Sequence, residues 1–466
     1  MESIPPPVLN EGSDLPDSSQ VNRGILPPGF TWVILGALVS LICGLQLYAY
    51  FAPQEEEARP SMTTHRAALN LTMRQTAALD WLSQLATAPP QQSDSNSPWK
   101  DVQSNLEPII GKSPEAARYH ALISLYLKKQ VDPKALKSLE EANDAKSSKV
   151  LRLVEGESLE SEWDRSTPDG KLGYWLDQRD SKKDLRQAEL VPSAERLKFL
   201  VVVMWSAGLI LLGGVTVLIY GVSRLTQKSA RPGFLPQMNR LDGHAAAGRV
   251  ALYLGIYFFF AMGLGALLTQ SGMESSVAMV IVSLGMLLLL PFLLSARIFG
   301  VTTSLTRLII GRKSSWMKWF GIAFLAYAAN FVVAVPLAAM MNVLLKDLPT
   351  PSHEAVEMLA GSPNLTTILS MIFLAAVFAP IIEEVMFRGQ LYPAMKRFMP
   401  IGVAVVLQGV IFAVIHPQGP ILWPALAIVG VTAAILSEET GSLVPAILMH
   451  ALHNGTLITF NLLLNG

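Results

Sequence analysis

The sequence predicts an all-α protein: a polytopic bundle of about nine transmembrane helices, with a mostly helical extramembrane domain between spans 1 and 2. Three observations predict it. Hydrophobic residues make up 51% of the 466 residues and charged ones only 15%, whereas soluble domains carry about 25% charge. The mean hydropathy is +0.38. The apolar sequence comes in helix-length runs, interrupted by one long charged stretch over 52–198.

Residues 1–29 are polar and hold Pro5, Pro6, Pro7, Pro27 and Pro28, which reads as a disordered cytoplasmic tail. Phe30–Phe51 is 22 residues without a charge, enough to cross about 30 Å of hydrocarbon at about 1.5 Å per residue. The run is long for a signal peptide and Arg23 is the only basic residue before it, so residues 30–51 are read as an uncleaved anchor. Residues 52–198 are punctuated by Pro89-Pro90 and Ser93–Ser97. Leucine spacing within Ala121–Lys129 and Lys134–Glu141 fits amphipathic helices. Gly111-Lys112-Ser113 is half a phosphate loop, with Leu106 where its first Gly should stand, so nucleotide binding is disfavoured. His65, His120 and His244 lie in polar sequence and read as solvated surface.

Residues 199–365 and 366–466 return to membrane composition. The expected spans are Phe199–Val222, Val250–Thr269, Ser276–Ser295, Trp319–Leu345, Thr366–Phe387, Ile401–Ile415, Ile421–Ser437 and Ser442–Leu464. Ile401–Ile415 is short for a full crossing. The stretch 223–249 carries Arg224, Lys228, Arg231, Arg240 and Arg249 against Asp242, and 297–318 carries Arg297, Arg307, Arg312, Lys313 and Lys318 against no acid. Positive charge stays inside, so both stretches are expected in the cytoplasm, with the N-terminus, and residues 52–198 outside. The simple anchor suggests a bacterial plasma membrane. Lys+Arg and Asp+Glu are both 36, a balance that argues against a nucleic-acid partner. Cys43 is the only cysteine, which excludes intramolecular disulfides, Fe–S clusters and Cys-type zinc sites.

The chemistry gathers near the end of the chain. Residues 371–466 contain seven charged side chains (Glu383, Glu384, Arg388, Lys396, Arg397, Glu438 and Glu439) and the histidines His416, His450 and His453. Charge at membrane depth is costly and marks function by default. Glu384 and Arg388, at i, i+4, share a helix face and can pair. Glu383 is rotated by about 100° and left free for general base work. Sixteen residues separate Glu383 from the Met399-Pro400 break, and sixteen separate Pro400 from His416. A hairpin there brings Glu383 and His416 level, where an acid and an imidazole can hold and deprotonate a water. His450 and Asn454, again i, i+4, could form an oxyanion hole, or a metal ligand and its neighbour. His453 is rotated by about 100° from Asn454 and reads as a packing or pathway residue. Each cluster alone also fits a plainer role: an ion pair, a helix cap, or polar glue between helices.

Taken together, Glu-Glu-x-x-x-Arg (383–388), Phe-x-x-x-His (412–416) and His-x-x-x-Asn (450–454), in this order and in apolar helices, resemble the CPBP family. These are the CAAX prenyl endopeptidases and bacteriocin-processing enzymes, also called Abi proteins. Ala379-Pro380-Ile381-Ile382-Glu383-Glu384-Val385-Met386-Phe387-Arg388-Gly389 and Thr440-Gly441-Ser442-Leu443 carry the same likeness, which covers about the last fifth of the chain. The resemblance implies an intramembrane endopeptidase acting on a membrane-associated protein or peptide. It implies that Glu383 and His416 activate water, that His450 and Asn454 stabilise the oxyanion, and that Glu384 and Arg388 organise the site. It leaves a metal mechanism and a metal-free glutamate mechanism both open; Glu383, His416 and His450 could ligate one Zn²⁺. Two other readings compete: a catalytically silent membrane scaffold, and a proton-coupled transporter, which would require a pathway and repeat symmetry that the sequence does not display.

Overall fold

The computed structural model describes residues 28–51, 62–85, 97–159, 163–181, 187–226, 243–295, 309–311, 314–345 and 364–465. The expected disordered tail, most of the basic stretch 223–249 and most of 297–318 lie outside them. Every regular element among the described residues is helical, and the chain is a polytopic helical bundle.

Helix α1 (Pro28–Phe51) covers the run expected as an anchor and is long and apolar enough to cross a membrane. Six helices follow: α2 (Thr63–Leu85), α3 (Ser97–Leu106), α4 (Pro114–Tyr126), α5 (Pro133–Ala142), α6 (Ala145–Val154) and α7 (Pro168–Ser181). They bury their own core, in which Leu69, Met73, Trp99, Leu106, Leu122 and Leu172 are inaccessible. Trp99 stacks on Tyr126 at 4.1 Å and donates to Thr76 Oγ1 at 2.9 Å. The Gly-Lys-Ser stretch is a helix start: Ser113 Oγ accepts from Ala116 N–H at the first turn of α4, the usual work of serine at an N-cap. His120 corrects the expectation of a solvated surface. It lies on α4, which the other helices of this unit enclose, and is 4% exposed.

The membrane part consists of α8 (Ser193–Thr226), α9 (Gly243–Gln270), α10 (Ser275–Ser295), α11 (Trp316–Leu344), α12 (Leu365–Met395), α13 (Ile401–Val414), α14 (Gly419–Thr440) and α15 (Val444–Asn465). Among the described residues, seven helices are long and apolar enough to cross a membrane. Ser275–Pro291 of α10 and α13 are shorter apolar helices; Pro291 lies inside the first, and α13 stops at Val414 ahead of Pro417. The expected count of about nine therefore splits into long spans and two short arms. Pro380 does not simply kink its helix. It opens a regular segment between two π-helical turns, Leu374–Phe378 and Phe387–Leu391, so that Glu383 and Glu384 sit between bulges.

Ion pairs mark the two ends of the bundle. At one end Arg224 on α8 meets Glu439 at 3.0 Å, and Lys396 meets Glu438 at 3.0 Å. At the other end Arg74 on α2 pairs with Glu195 at 3.2 Å and donates to the carbonyls of Leu463 and Leu464, the last turn of α15. The α2–α7 unit thus sits at the end opposite Lys396 and Glu438. Arg249 leaves the count of loop charges: it is fully buried between α9 and α12, and its Nη1 donates to Gln390 Oε1 at 3.2 Å.

Candidate active site

Two glycines bring the site's helices together. At Gly430 on α14 an added Cβ would lie 2.8 Å from Gly409 Cα on α13, and at Gly409 it would lie 2.9 Å from Ala427 O. Only hydrogen fits in such a crossing. The Gly430 carbonyl then accepts from Arg388 Nη2 at 3.0 Å and from Gln408 Nε2 at 2.8 Å. Arg388 Nη1 donates to Glu384 Oε1 at 3.0 Å, with both side chains at zero exposure. The guanidinium also lies 4.5 Å over the ring of Phe412. A buried guanidinium is tolerable because a carboxylate, a carbonyl and an aromatic face replace water around it.

Phe412 explains its place one turn before His416. Its ring touches those of His416 at 4.4 Å, His450 at 5.8 Å and Phe387 at 5.2 Å. It is the apolar floor on which both imidazoles rest.

The Met399-Pro400 turn does close a hairpin. Glu383 Oε2 lies 3.5 Å from His416 Nε2 and 3.8 Å from His450 Nε2. Each ring's other nitrogen is committed. His416 Nδ1 donates to the Phe412 carbonyl at 2.5 Å, and His450 Nδ1 donates to Glu384 Oε1 at 2.9 Å. A neutral imidazole carries one proton, so in their neutral forms both rings turn an Nε2 lone pair toward Glu383. Glu383 Oε2 correspondingly has no hydrogen-bond partner among the described residues, although it is buried. Three acceptors thus converge on one point, which calls for a proton, a water or a cation between them. Carboxylate and imidazole are donors that zinc takes, and two ligands about 2.05 Å from a tetrahedral zinc stand about 3.3 Å apart. The observed spacings are a few tenths of an ångström wider, and no group of three or more His, Cys, Asp or Glu among the described residues forms a preassembled metal site. The donor set fits in type and orientation but is not drawn in.

Asn454 is one turn beyond His450, but its Nδ2 is engaged: it donates to Ala375 O at 2.8 Å, a carbonyl in the π-helical turn before Glu383. His453 makes no hydrogen bond through its buried Nδ1. Sequence reasoning missed Gln46. This residue of α1 donates to the Ile415 carbonyl at 2.8 Å, and Trp423 Nε1 donates to the His416 carbonyl at 3.2 Å. Both bonds hold the peptide units around His416 after α13 has ended. A lone glutamine in the apolar anchor was the available signal, since amides at membrane depth need partners.

No curated protein and no solved structure matches the chain. A family model does: that of the type II CAAX prenyl endopeptidase Rce1-like proteins, over residues 365–456. That stretch runs from the start of α12 to the middle of α15 and carries Glu383, Glu384, Arg388, His416, His450 and Asn454; over it the chain is similar to the CAAX prenyl endopeptidase family.

Proposed function

We propose that this chain is an intramembrane endopeptidase that hydrolyses a peptide bond in a membrane-associated protein or peptide. The observation that carries the proposal is the convergence of Glu383 Oε2, His416 Nε2 and His450 Nε2 at 3.5 and 3.8 Å on one shielded point. A water there has two hydrogens for three acceptors. Glu383 takes one proton as the oxygen attacks the substrate carbonyl, and the same proton, passed through a histidine, leaves with the departing amine. Two carboxylates and one guanidinium give the cluster a net charge of minus one; one proton shared among Glu383, His416 and His450 neutralises it at a depth where charge is expensive. A protonated histidine is also a donor to the oxyanion that forms, and the second N–H of Asn454 is the other. Glu384 and Arg388 fix the tautomer of His450 and the seat of Phe412.

Glu383, His416 and His450 are also the residues that would hold a Zn²⁺, and such an ion would acidify a bound water. Metal analysis of the purified chain and of His416→Ala/His450→Ala tests this independently of activity: about one zinc per chain, lost in the variant, assigns the ion to them. We place the protein in a cell membrane as a multi-pass protein, with the N-terminus and the Lys396–Glu438 end in the cytoplasm and residues 52–198 outside; charge asymmetry supports that orientation.

The deciding experiment compares peptide termini in membranes carrying the wild-type chain or Glu383→Gln at matched, folded levels. Termini that vanish in the variant establish proteolysis and name the substrate. Identical termini, with wild-type protein folded and the proteome of the native host present, would favour a scaffold.

A further inference from the structure

We infer that α2 is an interfacial helix that seats the α2–α7 unit on the lipid surface at its end of the bundle, with Leu71, Leu79 and Leu82 in the headgroup–acyl boundary. Its wheel has two apolar sides. One, holding Leu69, Met73, Thr76 and Ala77, is buried in the unit's own core at 7% exposure or less. On the other side Leu71, Leu79 and Leu82 are 38%, 52% and 40% exposed. At about 100° per residue, Leu71, Leu82 and Leu79 fall about 60°, 80° and 140° from Arg74 in one sense, on a flank centred about a quarter-turn from it, while the buried residues lie in the other sense.

Arg74 shows which way this flank faces. It is 2% exposed, and it is buried by the outer ends of membrane helices: Glu195 at the start of α8 and the Leu463 and Leu464 carbonyls at the end of α15. The lie of the helix follows from a second contact. Trp81 on α2 stacks under Arg196 of α8 at 5.9 Å. Seven residues of α2, about 10 Å, thus meet two adjacent residues of α8, so the axes cross steeply. With α8 across the bilayer, α2 lies along its plane. The depth agrees as well. Glu195 is four residues before Phe199, where an uncharged run begins and continues to Ser223. That places the contact about 6 Å above the hydrocarbon, within reach of an apolar helix face that sinks about 5–10 Å into the boundary. Trp81 has the amphipathic ring that favours this level, and Arg196 and Lys198 stand where phosphates would be.

The occupant is thus the phospholipid leaflet on this side, continuous with the lipid-facing surface of α8. The full chain with Cys43→Ser, a background without cysteine, is given a single Leu79→Cys, Leu82→Cys or, as a control on exposed α3, Asn105→Cys. Each is labelled with an environment-sensitive fluorophore and placed at one copy per phosphatidylcholine/phosphatidylglycerol nanodisc. The labels on α2 should be quenched by lipids with a nitroxide near the headgroup, and should be several-fold less accessible to aqueous iodide than the control. Iodide quenching equal to the control, with no quenching by nitroxide lipid, overturns the inference. So does protection seen with two copies per disc but not with one, which assigns the face to a second copy of the chain. Cross-linking of the unsubstituted chain by photoactivatable lipid covers the case of a misfolded variant: adducts within 71–82 are expected, and their absence is equally decisive against it.

Discussion

Gly430→Ala is a one-carbon test of the site's architecture. The new methyl would lie 2.8 Å from Gly409 Cα and 3.3 Å from both Gly409 O and Arg388 Nη2. Carbon contacts settle at about 3.5–4.0 Å, so α13 and α14 must part by about 1 Å; the two Gly409 atoms are backbone and cannot swing aside. Overpacking of this kind costs about 1–3 kcal/mol. The functional loss should be larger than the stability loss implies. The Gly430 carbonyl holds Arg388 and Gln408, and α13 carries His416; a shift of about 1 Å in a reacting group can cost about 10²-fold in rate. The assay is cleavage of the identified substrate, with kcat and KM separated, beside thermal unfolding in the same detergent. Gly402→Ala is the control, since nothing lies within 4 Å of its Cβ position. A Gly430→Ala chain with wild-type unfolding temperature and wild-type kcat would refute the reasoning, because the crossing would then not be what holds the site.

Other outcomes follow from the same geometry. Arg388→Met should leave the buried Glu384 without its guanidinium, with His450 Nδ1 still donating to it, destabilising the fold by about 3–5 kcal/mol; adding Glu384→Gln should recover much of the folded yield on thermal unfolding but not cleavage. Asn454→Ala should lower kcat by about 10²-fold with little change in KM if its second N–H serves the oxyanion, read by steady-state kinetics. Gln46→Leu orphans the Ile415 carbonyl in an apolar setting, so the pH profile of kcat should shift while expression holds; an unaltered profile would confine Gln46 to packing. Burial holds His120 below its ordinary pKa of 6.5, against the opposing pull of Asp132 and Glu107. The unfolded state therefore binds the proton more readily, so stability is complete above about 6.5 and falls as pH drops toward the folded value. Hydrogen exchange of α4 should speed up as pH falls through that window, after correction for intrinsic rates, and His120→Gln should flatten the trend.

What could be read before folding was local or countable. The i, i+4 spacing of Glu384 and Arg388 is a property of one helix. The equal arms around Met399-Pro400 are a property of a hairpin, and the structure brings Glu383 and His416 within 3.5 Å. The rest depends on partners far apart in the chain. Gln46 and Ile415 are separated by 369 positions, and Glu384 and His450 by 66; no periodicity encodes either pair. The oxyanion reading of Asn454 did not foresee Ala375, because a carbonyl becomes available there through a π-helical turn that the sequence does not announce. His120 reads as solvent-facing from its polar neighbours and Arg249 as one of the cytoplasmic loop charges, but which face of α4 or α9 meets another helix is decided in three dimensions.

The paired bulges of α12 uncouple the angular phase of its two ends. A π-turn holds one residue more than the regular turn it replaces, so everything beyond it is rotated by about 100° relative to an unbroken helix. Near its start α12 is pinned by Thr367, which donates to Glu274 Oε1 at 2.6 Å, and near its end by Tyr392, which donates to Glu438 at 3.0 Å. An uninterrupted helix between those anchors would have to choose which of them to satisfy, and where to aim the carboxylates between. The inserted residues act as two rotary joints that let entrance, centre and exit of the helix each keep its own bearing. Deleting a single residue from Leu374–Phe378 would reset the first joint, turning Thr367 from Glu274 while leaving Glu383 in place, a lesion without any change in composition at the site.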